Sequence, residues 1–346
     1  PLLKHPLLRV QLHAAEALGR MAYKPAVQPL LDMLQANNDE DAWLRHAGMI
    51  ALGRIGEAAP LVALKGHESR ALRIAAVVGL RRMEDPGVAA FLNDQDEYVV
   101  AEAARAINDD FSIEAALPAL AQSLRGTQFT SEAFLRRAIN ANLRVGGEEN
   151  VQILLAYAQD KEAPAAMRGE ALAALSTWGK TSVFDRVDGR YRGAIERDAS
   201  AVAAALSPLL ADLLRDQEEV VRVAAVGTIA RLQIKDMDAS LMALLRSDRS
   251  AKVRRLSLKS LGENSNASLD QALELAFRDK DKEVRSEALK ILPGSGIEED
   301  KAVTLFEQVL ANGSMAEKQS ALEALSKFSG PQAVQALSKS LKKLVG

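Results

Sequence analysis

The chain has 346 residues, with 44 Lys and Arg against 46 Asp and Glu, four His and no Cys. This charge balance removes the overall basic excess of a nucleic-acid binder. The missing cysteine excludes disulfides, thiolate zinc sites, iron–sulfur clusters, cysteine nucleophiles and thioether-linked haem.

Aromatics are 4% of the chain and hydrophobics 48%, an inventory of Ala, Leu, Val and Ile that favours close-packed helices over a sheet sandwich. No apolar run reaches the ~18 residues of a membrane span. The opening Pro1-Leu2-Leu3-Lys4-His5-Pro6 is no signal peptide and reads as the interior of a longer chain. From there one pattern recurs. An anchor, usually Arg after an apolar residue, is followed by Ala or Ser three on, a small residue six on and Leu or Ile seven on. The anchors are Gln11, Arg45, Arg73, Val100, Arg136, Arg168, Arg222, Arg254, Arg285 and Lys318. Eight of their nine intervals lie between 27 and 36 residues, a repeat array.

Each anchor sits on an amphipathic helix, B; Val221, Ala225, Thr228, Ile229 and Leu232 share one face of a 3.6-residue period. Apolar helices, A, lie between them at 26–34, 117–124, 151–158, 239–245, 269–277 and 303–310. Four residues before the anchors stand Asp41, Ser69, Asp96, Glu132, Glu218, Ser250, Asp281 and Ser314, caps for the B helices. Where the anchor is basic, the cap acid is expected to pair with it at i+4. These carboxylates therefore have structural work and are discounted as catalytic.

The pattern predicts an all-α HEAT-repeat α-solenoid of antiparallel helix pairs. Repeats fill 1–176 and 201–346, with an irregular insertion at 177–200 where one interval stretches to 54 residues. The insertion concentrates Trp178, Phe184 and Tyr191. It reads as a strap over the seam between two sub-arrays, with Trp178 and Phe184 buried and 185–192 nearer solvent. The alternative is a partner-binding loop, with Asp185, Asp188, Arg190 and Tyr191 as candidate contacts. Upstream, Asn108-Asp109-Asp110 ends a helix, and Asn142 takes a small-residue position where it needs backbone partners.

A basic run, Arg246, Arg249, Lys252, Arg254, Arg255 and Lys259, faces only Asp248 and Glu263 nearby. It reads as a solvated or protein-binding face. A nucleic-acid-binding face is the rival, though no aromatic stacking residue is interleaved. Lys339, Lys342 and Lys343 form a polar cap on the last helix. His5, His13, His46 and His67 have no metal-ligand spacing, and no phosphate loop or nucleophile elbow occurs. No catalytic, cofactor or metal site is expected.

Five segments between 42 and about 195 carry a resemblance. They are Leu44-Arg45-His46-Ala47, the run from Glu102 to Asp110, the helix from Leu135 to Gly147, Arg168-Gly169-Glu170-Ala171-Leu172 with Trp178, and the run from Asp185 to Arg192. Together they resemble the HEAT region of bacterial PVC-type haem-binding, membrane-bound dehydrogenase-like proteins. That resemblance implies a neighbouring β-propeller and cytochrome c domain as partners and a periplasmic location. Neither a propeller nor Cys-x-x-Cys-His is present, so it implies no redox residue in this chain. The reading is a non-catalytic scaffold for protein or interdomain contacts. The rivals are nucleic-acid binding through the basic run and an enzyme like bilin lyases, for which no cofactor signal exists.

Overall fold

The computed structural model describes residues 1–264 and 268–345. The chain separates into two compact units, Pro1–Arg197 and Asp198–Gly346.

In the first unit the α-helices are α1 (Leu8–Arg20), α2 (Val27–Asn37), α3 (Ala42–Ile55), α4 (Ala58–Val62), α5 (Arg70–Arg82), α6 (Glu97–Asn108), α7 (Leu117–Gln122), α8 (Glu132–Val145), α9 (Glu148–Gln159) and α10 (Ala165–Ser176). In the second they are α11 (Ser200–Leu206), α12 (Leu210–Leu213), α13 (Glu219–Leu232), α14 (Asp238–Ser247), α15 (Ala251–Asn264), α16 (Leu269–Phe277), α17 (Lys282–Ile291), α18 (Glu299–Asn312), α19 (Met315–Leu325) and α20 (Pro331–Val345). Among the described residues there is no strand, only two isolated antiparallel bridges, Lys180 to Glu196 and Phe184 to Tyr191.

All ten anchors lie on helices, and these B helices stack in order: α1, α3, α5, α6, α8 and α10 in the first unit, α13, α15, α17 and α19 in the second. Their shared faces bury Leu44, Leu72, Val99, Leu135 and Leu172 in the first unit and Val221, Val253, Val284 and Ala321 in the second. Each fully buried aliphatic side chain contributes about 1.5–3 kcal/mol. Small residues let the helices close in: a Cβ on Gly79 would lie 2.6 Å from Leu61 Cδ1. The A helices of the third and fourth repeats are stunted to the five-residue α4 and a 3-10 turn at Pro86–Asn93. Anchor intervals of 28 and 27 residues leave no room for more, and Pro60 and Pro86 discourage longer helices.

The expected caps form at Asp41, Ser69, Asp96, Ser250, Asp281 and Ser314, each accepting a first-turn N–H; Ser314 and Glu317 make a capping box. The expected pairing of a basic anchor with its own cap acid holds at Arg136, 2.6 Å from Glu132, and is replaced at Arg45, Arg222 and Arg285 by Asp39, Asp248 and Glu317; a ladder between repeats takes its place, and it includes Arg73 and Arg254, whose caps are Ser. Arg73 reaches Asp94 at 2.7 Å, Arg222 reaches Asp248 at 2.8 Å, Arg254 reaches Asp279 at 2.7 Å and Arg285 reaches Glu317 at 2.6 Å. Each acceptor belongs to the next repeat. Asp94, Asp248 and Asp279 stand two residues before a cap and also accept that cap's backbone N–H at 2.8 Å. The guanidinium spans the gap because Nη1 simultaneously donates back to the carbonyl six residues upstream, at His67, Asp216, Asp248 and Asp279. Own-cap pairing would leave those carbonyls and the next repeat's acid unserved.

Candidate functional site

The insertion and the helix ends of repeats four to six form one polar site in the first unit. The chain leaves α6 through Asp110 and Ser112, both left-handed at φ +55° and +62°, a conformation short polar residues tolerate best. Ser112 Oγ and Ile113 N–H both donate to the Ile107 carbonyl, closing the loop. Trp178, 4% exposed, seats the base of the insertion.

From Gly179 to Arg197 the chain forms an antiparallel hairpin. The N–H groups of Thr181, Arg192 and Arg197 donate to the carbonyls of Ile195, Val183 and Gly179 at 3.1, 2.8 and 2.9 Å. At the tip, Asp185 N–H donates to Arg190 O at 2.8 Å, and Asp185 Oδ1 accepts from the N–H groups of Val187 and Asp188 at 2.8 and 3.2 Å. An Asp side chain that mimics a backbone turn suits this position.

The inner face of the hairpin carries charge. The Asp185 side chain is fully buried, and its Oδ2 accepts from Asn140 Nδ2 at 2.9 Å and Arg192 Nε at 3.0 Å. Arg192 Nη2 donates to Asn108 O at 2.7 Å and Asp188 Oδ2 at 3.0 Å. Asp188 Oδ2 also accepts the Asp110 N–H at 3.1 Å, and Asn140 Nδ2 donates to Asn108 Oδ1 at 2.9 Å. Arg186 holds Glu170 at 2.7 Å, and Arg137 grips Asp109 through Nε and Nη2 at 2.8 and 2.7 Å. At the base, Arg197 stacks 3.9 Å from the Trp178 ring centroid and donates to the carbonyls of Trp178 and Leu143. Burial pushes the Asp185 carboxyl up, but the Val187 N–H, Asn140, the Asp188 N–H and Arg192 outweigh it and hold it below its usual value. Arg144 is pulled down by burial against the opposing pull of Glu114 and Asp185.

The outer face carries aromatics. Phe184 is 57% exposed, Tyr191 74% and Phe111 79%. Phe184 and Tyr191 meet edge to face at 6.3 Å, and the exposed Arg190 guanidinium lies 5.9 Å from the Phe111 ring. Exposed aromatics beside an arginine are the composition of interface anchors.

Two sequence expectations are corrected here. Phe184 is exposed rather than buried, and Asp185, expected near solvent as a candidate contact, is buried. Neighbouring hairpin residues alternate faces, and the tightly satisfied polar face is the one that turns inward. Of the four candidate contacts, Arg190 and Tyr191 stand on the exposed face, Asp188 is mostly covered, and Asp185 is inaccessible. The insertion's bonds within the first unit run to 108–110, 140–143 and 170. Asn142 donates to the carbonyls of Ala121 and Ala138 at 2.8 Å each and accepts from Asn150, as its position required. Sequence reasoning missed Asn140, Arg144, Arg192 and Arg197. A second Asn two residues before Asn142 was the available signal.

In the second unit the basic run does not make one face. Arg254 is 4% exposed in its bidentate pair with Asp279, and Asp248 is taken by Arg222. Arg249 donates to the Gln217 carbonyl, and Lys259 lies 3.7 Å from Glu263. Lys252, Arg255 and Lys259 share a side of α15, while Arg246 ends α14. Lys339 lies 3.6 Å from Glu307 and Lys342 is exposed; the Lys343 side chain lies outside the described residues. Among the described residues no group of three His, Cys, Asp or Glu could hold a metal ion, and no helix is long and apolar enough to cross a membrane.

A family model for HEAT repeats matches residues 1–81 and 269–343. No curated protein matches. Among solved structures, Kap121p bound to Nup53p aligns over 99% of this chain and 42% of its own at 13% identity, TM-score 0.57. Importin beta in an ammonium sulfate condition aligns over 98% of this chain and 52% of its own at 14% identity, TM-score 0.51. The chain thus spans about half the length of these proteins, and at such identity the likeness concerns the fold. The protein is an all-α HEAT-repeat α-solenoid. None of these matches is to a haem-binding dehydrogenase.

Proposed function

We propose that this protein is a non-catalytic scaffold that binds a protein partner or neighbouring domain, and that the outer face of the 179–197 hairpin is its docking surface. The observation that carries this reading is the contrast between the two faces. The inner one is fastened by charged hydrogen bonds at Asp185, Asp188 and Arg192, while Phe184, Tyr191 and Phe111 are held open to solvent beside Arg190, half exposed in its ion pair with Asp110. A rigid platform presenting aromatic and Arg side chains loses little entropy on binding. A solenoid of similar fold has been captured with a protein ligand, Kap121p with Nup53p.

The resemblance of 42–195 narrows the partner to an adjoining propeller or cytochrome c domain in a periplasmic setting. Four of its five segments meet at this site, through Asn108, Asn140, Glu170 and Asp185. Nucleic-acid binding has weaker support, because Arg254 is removed from the basic run by its ion pair.

The test is a photo-crosslinking amino acid placed at Tyr191 or, as control, at the exposed Val334 of the second unit. A discrete protein adduct at 191 and none at 334 is expected in the native host. Equal adducts at both positions, or salt-sensitive retention on DNA that Lys252→Glu with Arg255→Glu abolishes, would overturn the reading.

A further inference from the structure

Between the hairpin and the end of α8 lies a cavity of about 300 Å³, lined by Asn140, Arg144, Thr181, Ser182, Phe184 and Asp185 among others. A single water occupies ~30 Å³ of liquid, so the space suits several waters or a small functional group with its stem.

The buried hydrogen-bonding capacity left over in its wall is donor capacity; the Glu114 carboxylate, also in the lining, is largely exposed and takes the Arg144 Nη2 bond. Arg144 has its side chain 12% exposed, with Nη2 donating to Ser112 Oγ at 3.2 Å and to Glu114. Its Nη1 is buried and finds no acceptor among the described residues; the nearby Asp185 Oδ2 is 3.8 Å away. Asp185 cannot turn to serve it, because Oδ1 accepts two backbone N–H groups and Oδ2 accepts from Asn140 and Arg192. The hydroxyls of Thr181 and Ser182 already accept the N–H groups of Ile195 and Phe184, at 2.9 and 3.0 Å, so each O–H is left to donate. Asp185, the buried acid of this wall, has no acceptor capacity left for a cation. An orphaned guanidinium nitrogen with two hydroxyls asks for a charged acceptor, and a carboxylate fits a guanidinium best. The exposed Phe184–Tyr191 pair borders the cavity, since both residues are part of its lining.

We propose that this cavity is a carboxylate-binding subsite that receives an acidic side chain of the docking partner, with an aromatic or apolar neighbour of that residue resting on Phe184 and Tyr191. The assignment rests on the docking reading above and specifies its chemistry.

Isothermal titration of the full chain with acetyl-Phe-Glu-amide, acetyl-Phe-Gln-amide and phenylacetate tests it. The Glu peptide is expected to bind at least ten times tighter than the Gln peptide. Arg144→Lys should erase that difference, and Ser182→Ala, at an exposed hairpin position, should weaken the Glu peptide about threefold while binding of the Gln peptide is held. Tyr191→Ala should weaken both peptides alike. Equal binding of the Glu and Gln peptides by the native chain overturns the subsite. Phenylacetate binding as tightly as the Glu peptide overturns its assignment to a partner's side chain, in favour of a free small acid. A crosslink at Tyr191 that persists in Arg144→Lys at native yield would remove the carboxylate subsite and leave the docking surface standing.

Discussion

Asp185→Ala tests the fastening of the hairpin most directly. The carboxylate is completely buried and accepts four hydrogen bonds, two from backbone N–H groups and two from Asn140 and Arg192. Truncation leaves the Arg192 charge without one of its two counter-ions and removes the acceptor that joins the hairpin tip to α8. Breaking one partner of a buried pair costs about 3–5 kcal/mol. Arg192 retains Asp188 and the Asn108 carbonyl, so the lower end, about 3 kcal/mol, is expected. Urea titration followed by tryptophan fluorescence reads it, because Trp178 under the hairpin is 4% exposed whereas Trp43 is 75% exposed and spectrally silent to undocking. A red shift at low urea, ahead of the loss of helical circular dichroism, would mark release of the hairpin. Trypsin should then cut first at Arg186, Arg190 or Arg192. An unchanged fluorescence transition, within ~0.5 kcal/mol of the native chain, would refute the argument that this network holds the hairpin.

Three further outcomes follow from the packing and the ladder. Leu261 is fully buried on α15, so Leu261→Ala should cost about 2–5 kcal/mol in chemical denaturation, and an unshifted transition would disprove its core register. Arg285 and the cap Ser314 hold the Glu317 carboxyl down to about 2, from an ordinary value of 4.5. Because the folded value is the lower one, its contribution is full above the unfolded value and is lost as pH falls toward 2. The limit is about 3 kcal/mol at ~1.4 kcal/mol per unit, and Glu317→Gln should flatten the stability–pH curve in that window alone. At Gly146, φ is +63° and a Cβ would fall 1.4 Å from Arg197 Nη1. Gly146→Ala should therefore displace Arg197 from Trp178 and lower the melting temperature more than Arg197→Ala does; the reverse order would show that the close approach is not needed.

The helices were readable because an amphipathic period is local: the same few side-chain positions decide both helix and stacking face, once per repeat. That placed the ten B helices and six of the caps. It could not place the ladder partner, since Asp94 and Asp96, or Asp279 and Asp281, are equally acidic, and choosing between them requires the neighbouring repeat's Arg to be in position. The hairpin inverted the hydrophobic expectation for a related reason. Burying Asp185 is tolerable only when Asn140, Arg192 and two turn N–H groups converge on it, and those donors come from separated stretches of chain. Sequence alone determined that this protein is a stack of helix pairs, because repeated burial of small and aliphatic residues leaves no other solution. Tertiary structure alone decided which polar side chains are spent on structure and which stay available, because a charge's fate depends on every donor and acceptor that folding brings within about 3 Å of it.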